Sequence, residues 1–300
     1  MGLRHSTEIV YKIRFGGQTT LSFYVKRWLS LIKSFLPAYI FVFIGYWIIR
    51  GNPFAKVYSS NPLRMLLDVV GIADLFQSPM IIAVWWYMSL AQMIILVIPL
   101  LYKLVQNFGF GSYILVYMLL QFLPDGVKSN YGGKYLNYLL VAVLAVCMEN
   151  ASIWESLLKK RGRLYKSILE FVLLFALIVG LIFVKVKIQS VDSWQIGGFV
   201  SGVATLLIVI LVTKYLSPKP IDSVLRFLGG HSGNIFMIHA FLYGPCKFIV
   251  FWSHNAIISY FTLLILSVCV SVILEFFKKV TRYNALFNTV SKKITNKINI

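Results

Sequence analysis

Eight apolar runs separated by short polar stretches dominate the chain, near residues 35–49, 81–102, 110–123, 135–148, 167–184, 194–213, 233–252 and 257–277. Runs of this kind can cross about 30 Å of hydrocarbon as helices, in which every backbone polar group is satisfied within its own segment. The expected fold class is all-α: a polytopic transmembrane helical bundle of about eight spans. Composition agrees, since 59% of the residues are hydrophobic and only 13% charged, far from the balance of a soluble domain.

The net charge of +19 raises the question of nucleic acid, but the basic residues fall between the apolar runs, where topology accounts for them and no nucleic-acid partner is implied. Alternate polar segments hold 21 and seven Lys and Arg residues respectively, with Lys247 left inside a run. The richer set belongs on the cytoplasmic side, which puts both termini there, with residues 1–34 as a basic lead-in and 278–300 as a basic tail. Residues 1–20 are polar and basic and do not read as a cleavable signal, so the first span is expected to direct insertion. Cys147, Cys246 and Cys269 stand singly in apolar runs, without the spacing of a disulfide framework or metal site, and read as small packing residues. With no repeat or linker, residues 1–300 read as one integral-membrane domain.

The longest segment on the outer side, 50–80, places Leu66, Leu67, Val70, Ala73 and Asp74 at helical spacing, as expected of a helix lying on the membrane surface. The stretch WWYMSLAQMIILVIPLLY at 85–102 opens with three aromatics suited to an interfacial belt, while Gln92 and Pro99 predict a kinked helix with a polar face turned inward. FYVKRWLSLIKSFLPAY at 23–39 is an amphipathic approach to the first span. Its Lys26, Arg27 and Lys33 suit topology determinants, contacts to anionic lipid, or the phosphates of a nucleotide-bearing ligand.

The most unusual stretch is LRFLGGHSGNIFMIHAFL at 225–242, in which two histidines, an asparagine and three glycines stand at the mouth of an apolar run. Ser232 or Asn234 is placed to cap the helix that follows, and the glycines permit a tight entry. His239 then falls about eight residues into the span, roughly 12 Å deep. An ionisable group at that depth needs a partner or a cavity, and an imidazole can serve there as general base toward a hydroxyl or as a neutral donor to a neighbouring helix. His231, at the water boundary, reads as solvated, and His5 and His254 as exposed. Lys247, eight residues after His239, would point about 80° around the same helix or snorkel outward. Glu275 with Lys278 and Lys279 reads as a surface pair. No phosphate-binding loop, GxGxxG, GxSxG or HExxH occurs, and the scarcity of mid-span carboxylates weighs against a proton-coupled transporter.

Taken in order, FYVKRWLSLIKSFLPAY, WWYMSLAQMIILVIPLLYKL and VLRFLGGHSGNIFMIHAFL resemble the acyltransferase-3 family of integral-membrane O-acyltransferases. The last is the most specific, with Leu228, Gly229, Ser232 and His239 at the positions of that family's Leu-Gly-x-x-Ser stretch and following histidine; the resemblance runs from about residue 20 to 285. It implies transfer of an acyl group, most often acetyl from cytoplasmic acetyl-CoA as donor substrate, to a hydroxyl of a surface polysaccharide or lipid-linked glycan at the cell membrane. No bound cofactor or metal is implied. On this reading His239 is the catalytic candidate, and Arg27, Lys33, Ser232 and Asn234 are candidates for holding the donor. The family usually carries two further spans ahead of this region, the first with a basic residue and a catalytic histidine. The chain is expected to enter the pattern after that point, and His5 is not equated with that histidine. Two other readings compete: a polysaccharide polymerase or flippase whose basic residues hold an anionic lipid-linked sugar, and a non-catalytic family member.

Overall fold

The computed structural model describes residues 20–153, 156, 164–188, 194–215 and 219–298, all in helices and their connections, with no strand among them. His5 lies outside the described residues. The helices are α1 Thr20–Arg50, α2 Pro53–Lys56, α3 Pro62–Val70, α4 Trp86–Phe108, α5 Gly111–Gln121, α6 Asp125–Tyr131, α7 Asn137–Asn150, α8 Leu164–Ile188, α9 Trp194–Tyr215, α10 Lys219–Tyr243, α11 Lys247–Val250, α12 Ala256–Val280 and α13 Tyr283–Ile298. The chain divides into two compact units, one of residues 1–96 with 224–300 and one of residues 97–223.

Among the described residues four helical segments are long and apolar enough to span a bilayer: Phe23–Arg50, Ala83–Phe108, Ser167–Lys187 and Ala256–Val280. A fifth is obtained if Asp125–Tyr131 and Lys134–Asn150, bent 76° at a one-turn π-helix, count as one broken span. The expected runs at 110–123 and 194–213 fall on the shorter apolar helices Gly111–Gln121 and Val200–Tyr215. The architecture is that of an all-α, multi-pass membrane protein. The run expected at 233–252 is not a single helix. Its first part belongs to α10, which starts at Lys219, and the helix stops at Tyr243 before Gly244 and Pro245, because proline lacks the N–H and its ring clashes with the preceding turn. Lys247 therefore starts the separate helix α11, and the angular relation expected between it and His239 does not exist.

In the first unit, α1 buries Phe35, Ala38, Tyr39 and Val42, a stripe at helical spacing, against Met237, Ile238, Phe241 and Leu242 of α10. Gly45 permits the closest part of this packing, since a Cβ there would stand 2.6 Å from the tip of the Phe241 ring. Trp85 is only 1% exposed and belongs to this core rather than to an interfacial belt. Its ring lies 4.9 Å from Phe35 and 5.3 Å from Tyr39, and Nε1–H donates to the Met237 carbonyl at 3.0 Å. The indole is drawn inward because both its apolar area and its single donor are satisfied there.

The segment between α1 and α4 is built by two Asn-Pro pairs. Asn52 accepts from the Phe54 amide and Asn61 from those of Leu63 and Arg64, with Pro53 and Pro62 opening α2 and α3. The surface helix expected across 66–74 ends early. Gly71, at φ +79°, closes α3 in the left-handed conformation, and a 3-10 turn over Ala73–Phe76 follows. The residue that α3 buries is Asp68, while Leu63 and Leu66 are exposed. The inward polar face expected of α4 is present: Ser89 donates to the Gly71 carbonyl at 2.9 Å and Gln92 to that of Val70 at 2.7 Å.

In the second unit, Leu101, Val105, Val116, Leu120, Leu140, Val143 and Cys147 form an apolar core. Lys214 of α9 is buried and pairs with Glu170 of α8 at 2.5 Å, its ammonium lying 5.5 Å from the centre of the Tyr215 ring.

Candidate active site

The stretch LGGHSGN does not cap a helix; it lies inside one. With α10 beginning at Lys219, Ser232 and Asn234 are interior residues, and His239 stands twenty residues on, about 30 Å along the axis. Each interior glycine costs roughly 1 kcal/mol relative to alanine. Gly229, Gly230 and Gly233 have no neighbour within 4 Å of a built Cβ, so they leave the helix surface open rather than filling a close approach. Ser232, also exposed, turns its Oγ back to the Gly229 carbonyl at 2.8 Å.

The opposite face of the same stretch is tied to α12. Asn234 is buried, and its amide nitrogen donates to Ser271 Oγ at 3.1 Å and to Glu275 Oε1 at 2.7 Å. Lys278 Nζ donates to Asn234 Oδ1 at 3.3 Å and to Glu275 Oε1 at 2.7 Å. His231 Nδ1 lies 2.8 Å from Ser271 Oγ, with its ring tilted against Phe227 at 4.7 Å. A cation, a carboxylate, an amide, a hydroxyl and an imidazole thus form one connected seam between two helices. Two sequence expectations are corrected here. His231 is half-buried and held by Ser271 rather than solvated, and Lys278 pairs with Glu275 as expected but is buried, at 9% exposure, rather than at the surface. The reason is the helical register: His231 and Asn234, three residues apart, share the face that meets Ser271, Glu275 and Lys278.

His239 lies one turn deeper. Its Nδ1 is 2.7 Å from the Phe236 carbonyl oxygen, and the Phe236 ring lies 5.6 Å from the imidazole. A carbonyl can only accept, so Nδ1 carries the proton and, in the neutral ring, Nε2 carries the lone pair. Among the described residues Nε2 has no hydrogen-bond partner. The backbone thereby selects the tautomer in which Nε2 is the base.

The basic residues expected to hold a donor divide. Arg27 is exposed and lies 5.7 Å over the Phe23 ring, one turn back on α1. Lys33 Nζ donates to Asn288 Oδ1 of α13 at 3.0 Å, and Tyr283 OH donates to the Lys33 carbonyl at 3.1 Å. Among the described residues no contact joins Arg27 or Lys33 to His239 or to the α10–α12 seam. The structure brings together Asn234 and His231, and leaves Ser232, Arg27 and Lys33 each in its own setting. Beside α12, a cavity of about 390 Å³ is lined by apolar residues of α1 and α12, with Lys278, Thr281 and Tyr283 among its walls.

A second buried network went unread in the sequence. Tyr58 OH donates to Asp68 Oδ2 at 2.5 Å, and the Ile81 amide donates to the same oxygen at 3.0 Å. Tyr39 OH lies 2.9 Å from Tyr58 OH, and since the Tyr58 proton is given to Asp68, Tyr39 must be the donor. Burial pushes the Asp68 carboxyl up to about 6, against the opposing pull of the Tyr58 and Ile81 hydrogen bonds. Burial likewise raises the Tyr58 hydroxyl, with the neighbouring Asp68 charge adding to it. The two Asn-Pro pairs that bracket Tyr58 are the signal that could have revealed a built corner rather than a plain surface helix. Among the described residues no group of three or more His, Cys, Asp and Glu is placed to hold a metal.

The family model Acyl_transf_3, described as an acyltransferase domain, matches residues 9–276. No curated protein and no solved structure matches the chain.

Proposed function

The chain belongs to the acyltransferase-3 family, and from that premise we propose that it is a membrane-bound O-acyltransferase moving an acyl group, acetyl in the simplest case, from cytoplasmic acyl-CoA to a hydroxyl of a surface polysaccharide or lipid-linked glycan. The observation that carries this reading is the family match across residues 9–276, which includes both the Arg27–Lys33 approach and the histidine-bearing helix α10. In the proposed reaction the acceptor hydroxyl attacks the thioester carbonyl, the new ester C–O bond forms, and the C–S bond breaks. His239 Nε2 takes the hydroxyl proton and returns it to the departing CoA sulfur. The Phe236 carbonyl supports this role by holding the proton on Nδ1.

Arg27 and Ser232 are exposed and are the residues proposed to meet the donor directly. Lys33 and Asn234 can do so only by exchanging their present partners, Asn288 on one side and Ser271, Glu275 and Lys278 on the other. The proposed location is the cell membrane, with both termini cytoplasmic. The excess of basic residues in alternate segments supports that orientation.

The test compares base-labile acyl ester on the surface glycan in the parent strain, a clean deletion, and deletions complemented with the native gene or with His239→Ala. Loss of ester in the deletion, restored by the native gene but not by His239→Ala, is the expected result. Unchanged ester with altered glycan length or amount would overturn the reading in favour of a polymerase or flippase. Full restoration by His239→Ala would remove that residue from the chemistry.

A further inference from the structure

The last described helix, α13, follows the spanning helix α12 after a two-residue corner, Thr281 and Arg282. It is anchored to α1 on one side: Asn288 accepts from Lys33, Tyr283 reaches the Lys33 carbonyl, and Thr295 is buried. The other side has no protein cover among the described residues. Leu286, Val290 and Ile294, at four-residue spacing, are 65%, 53% and 38% exposed, and two lysines are exposed as well: Lys293 adjoining the stripe and Lys292 on the flank nearer Asn288. After Glu275 the sequence contains six Lys and Arg residues and no Asp or Glu.

A helix with an exposed apolar stripe and exposed lysines suits neither water alone nor hydrocarbon alone. It suits the boundary between them, with the apolar side chains among the upper methylenes and the ammonium groups among headgroups. The absence of any acidic residue in the tail selects the headgroup by charge. Connection to the end of a spanning helix places α13 at that boundary without further movement. The exposed Val280, in the last turn of α12, extends the apolar surface to the corner.

We propose that α13 is an interfacial helix that binds the headgroups of anionic phospholipids through Lys292 and Lys293 while Leu286, Val290 and Ile294 insert among the upper methylenes. The inference does not depend on the acyl-transfer reaction. Because α13 holds Lys33 through Asn288, the lipid also steadies the approach to the first span.

The test uses the full-length protein in nanodiscs of phosphatidylcholine alone or with about 30 mol% phosphatidylglycerol, reading amide exchange of peptides within 283–298. Anionic lipid is expected to slow exchange there by roughly thirtyfold, as two lysines at an anionic surface imply, while peptides of α12 stay unchanged. Lys292→Glu with Lys293→Glu should abolish the lipid-dependent difference, and about 0.5 M salt should shrink it. Lys292→Arg with Lys293→Arg should preserve it, separating charge from misfolding. Equal exchange in the two lipid compositions, or a difference that survives the double Glu variant, would overturn the proposal. Slowing by CoA in phosphatidylcholine alone would also overturn it, assigning the basic edge to the acyl donor.

Discussion

Two buried polar networks lie in the same unit, and they differ in how they are closed. At the corner between α1 and α4, the donors of Tyr58 and Ile81 converge on one oxygen of Asp68, which is 1% exposed, and Tyr39 backs Tyr58. At the α10–α12 seam, five side chains share bonds in series. That series ends at the half-buried His231, and the side chain of Glu275 is 43% exposed. The first network has the form of a structural rivet, since its donors converge on one oxygen of a carboxylate that is 1% exposed. The second keeps an imidazole at its accessible end and a charge pair behind it, an arrangement that can respond to a ligand. Burial of polar groups therefore does not by itself mark a functional site.

The largest effect should come from breaking the rivet. Asp68→Ala leaves the Tyr58 hydroxyl and the Ile81 amide without their acceptor and is expected to destabilise by about 3 kcal/mol, read as a lowered Tm of the detergent-solubilised protein. Asp68→Asn should cost less while exposing the pH dependence. The folded carboxyl titrates near 6, above its unfolded value of 3.8, so the folded state holds more protons between these values. The stability it contributes is fully present below about 4 and is lost as pH rises through 6. Acidifying from pH 7 to pH 5 should thus raise the parent Tm relative to Asp68→Asn, and parallel profiles would remove Asp68 as the cause.

At the seam the expected losses are smaller. Lys278→Met removes the donor to Asn234 Oδ1 and Glu275 Oε1, yet the exposure of Glu275 lets water replace part of what is lost, so about 1 kcal/mol is expected. A loss as large as that of Asp68→Ala would show that the two networks are equally closed. The smallest change in stability should follow Ser232→Ala, within about 0.5 kcal/mol, because the hydroxyl is exposed and bonds only within its own turn. If Ser232 meets the donor, ester formation in the glycan assay should nonetheless fall well below the parent level. Unchanged ester would leave Ser232 as an ordinary surface residue.

Much of this was legible in the sequence, and the misses share one physical origin. Apolar runs and basic intervals announce spanning helices because the bilayer imposes length and composition directly on each segment. His239 stood out because an imidazole inside an apolar run is costly wherever its neighbours lie. His231 and Lys278 did not, since each sits near the end of a run, where solvation is the ordinary outcome; their burial depends on a partner about forty residues away. Trp85 was misread for the same reason, and Asp68 was not singled out at all. Aromatics at the start of a run suit an interfacial belt, and an acid in a surface segment suits water, until the packing of α1, α3 and α10 encloses both.

The sequence by itself determined that the chain is helical, membrane-spanning and strongly basic between its spans, and that its histidine-bearing stretch has the pattern of an acyltransferase-3 protein. These are properties of single segments, fixed by what hydrocarbon and charge demand of the residues within them. Only the tertiary structure decided that LGGHSGN continues a helix, that Asn234 bridges Ser271, Glu275 and Lys278, and which tautomer His239 holds. These depend on which faces of separate helices meet and on how the backbone runs through the stretch, and a buried polar group takes its role from the partner it finds there.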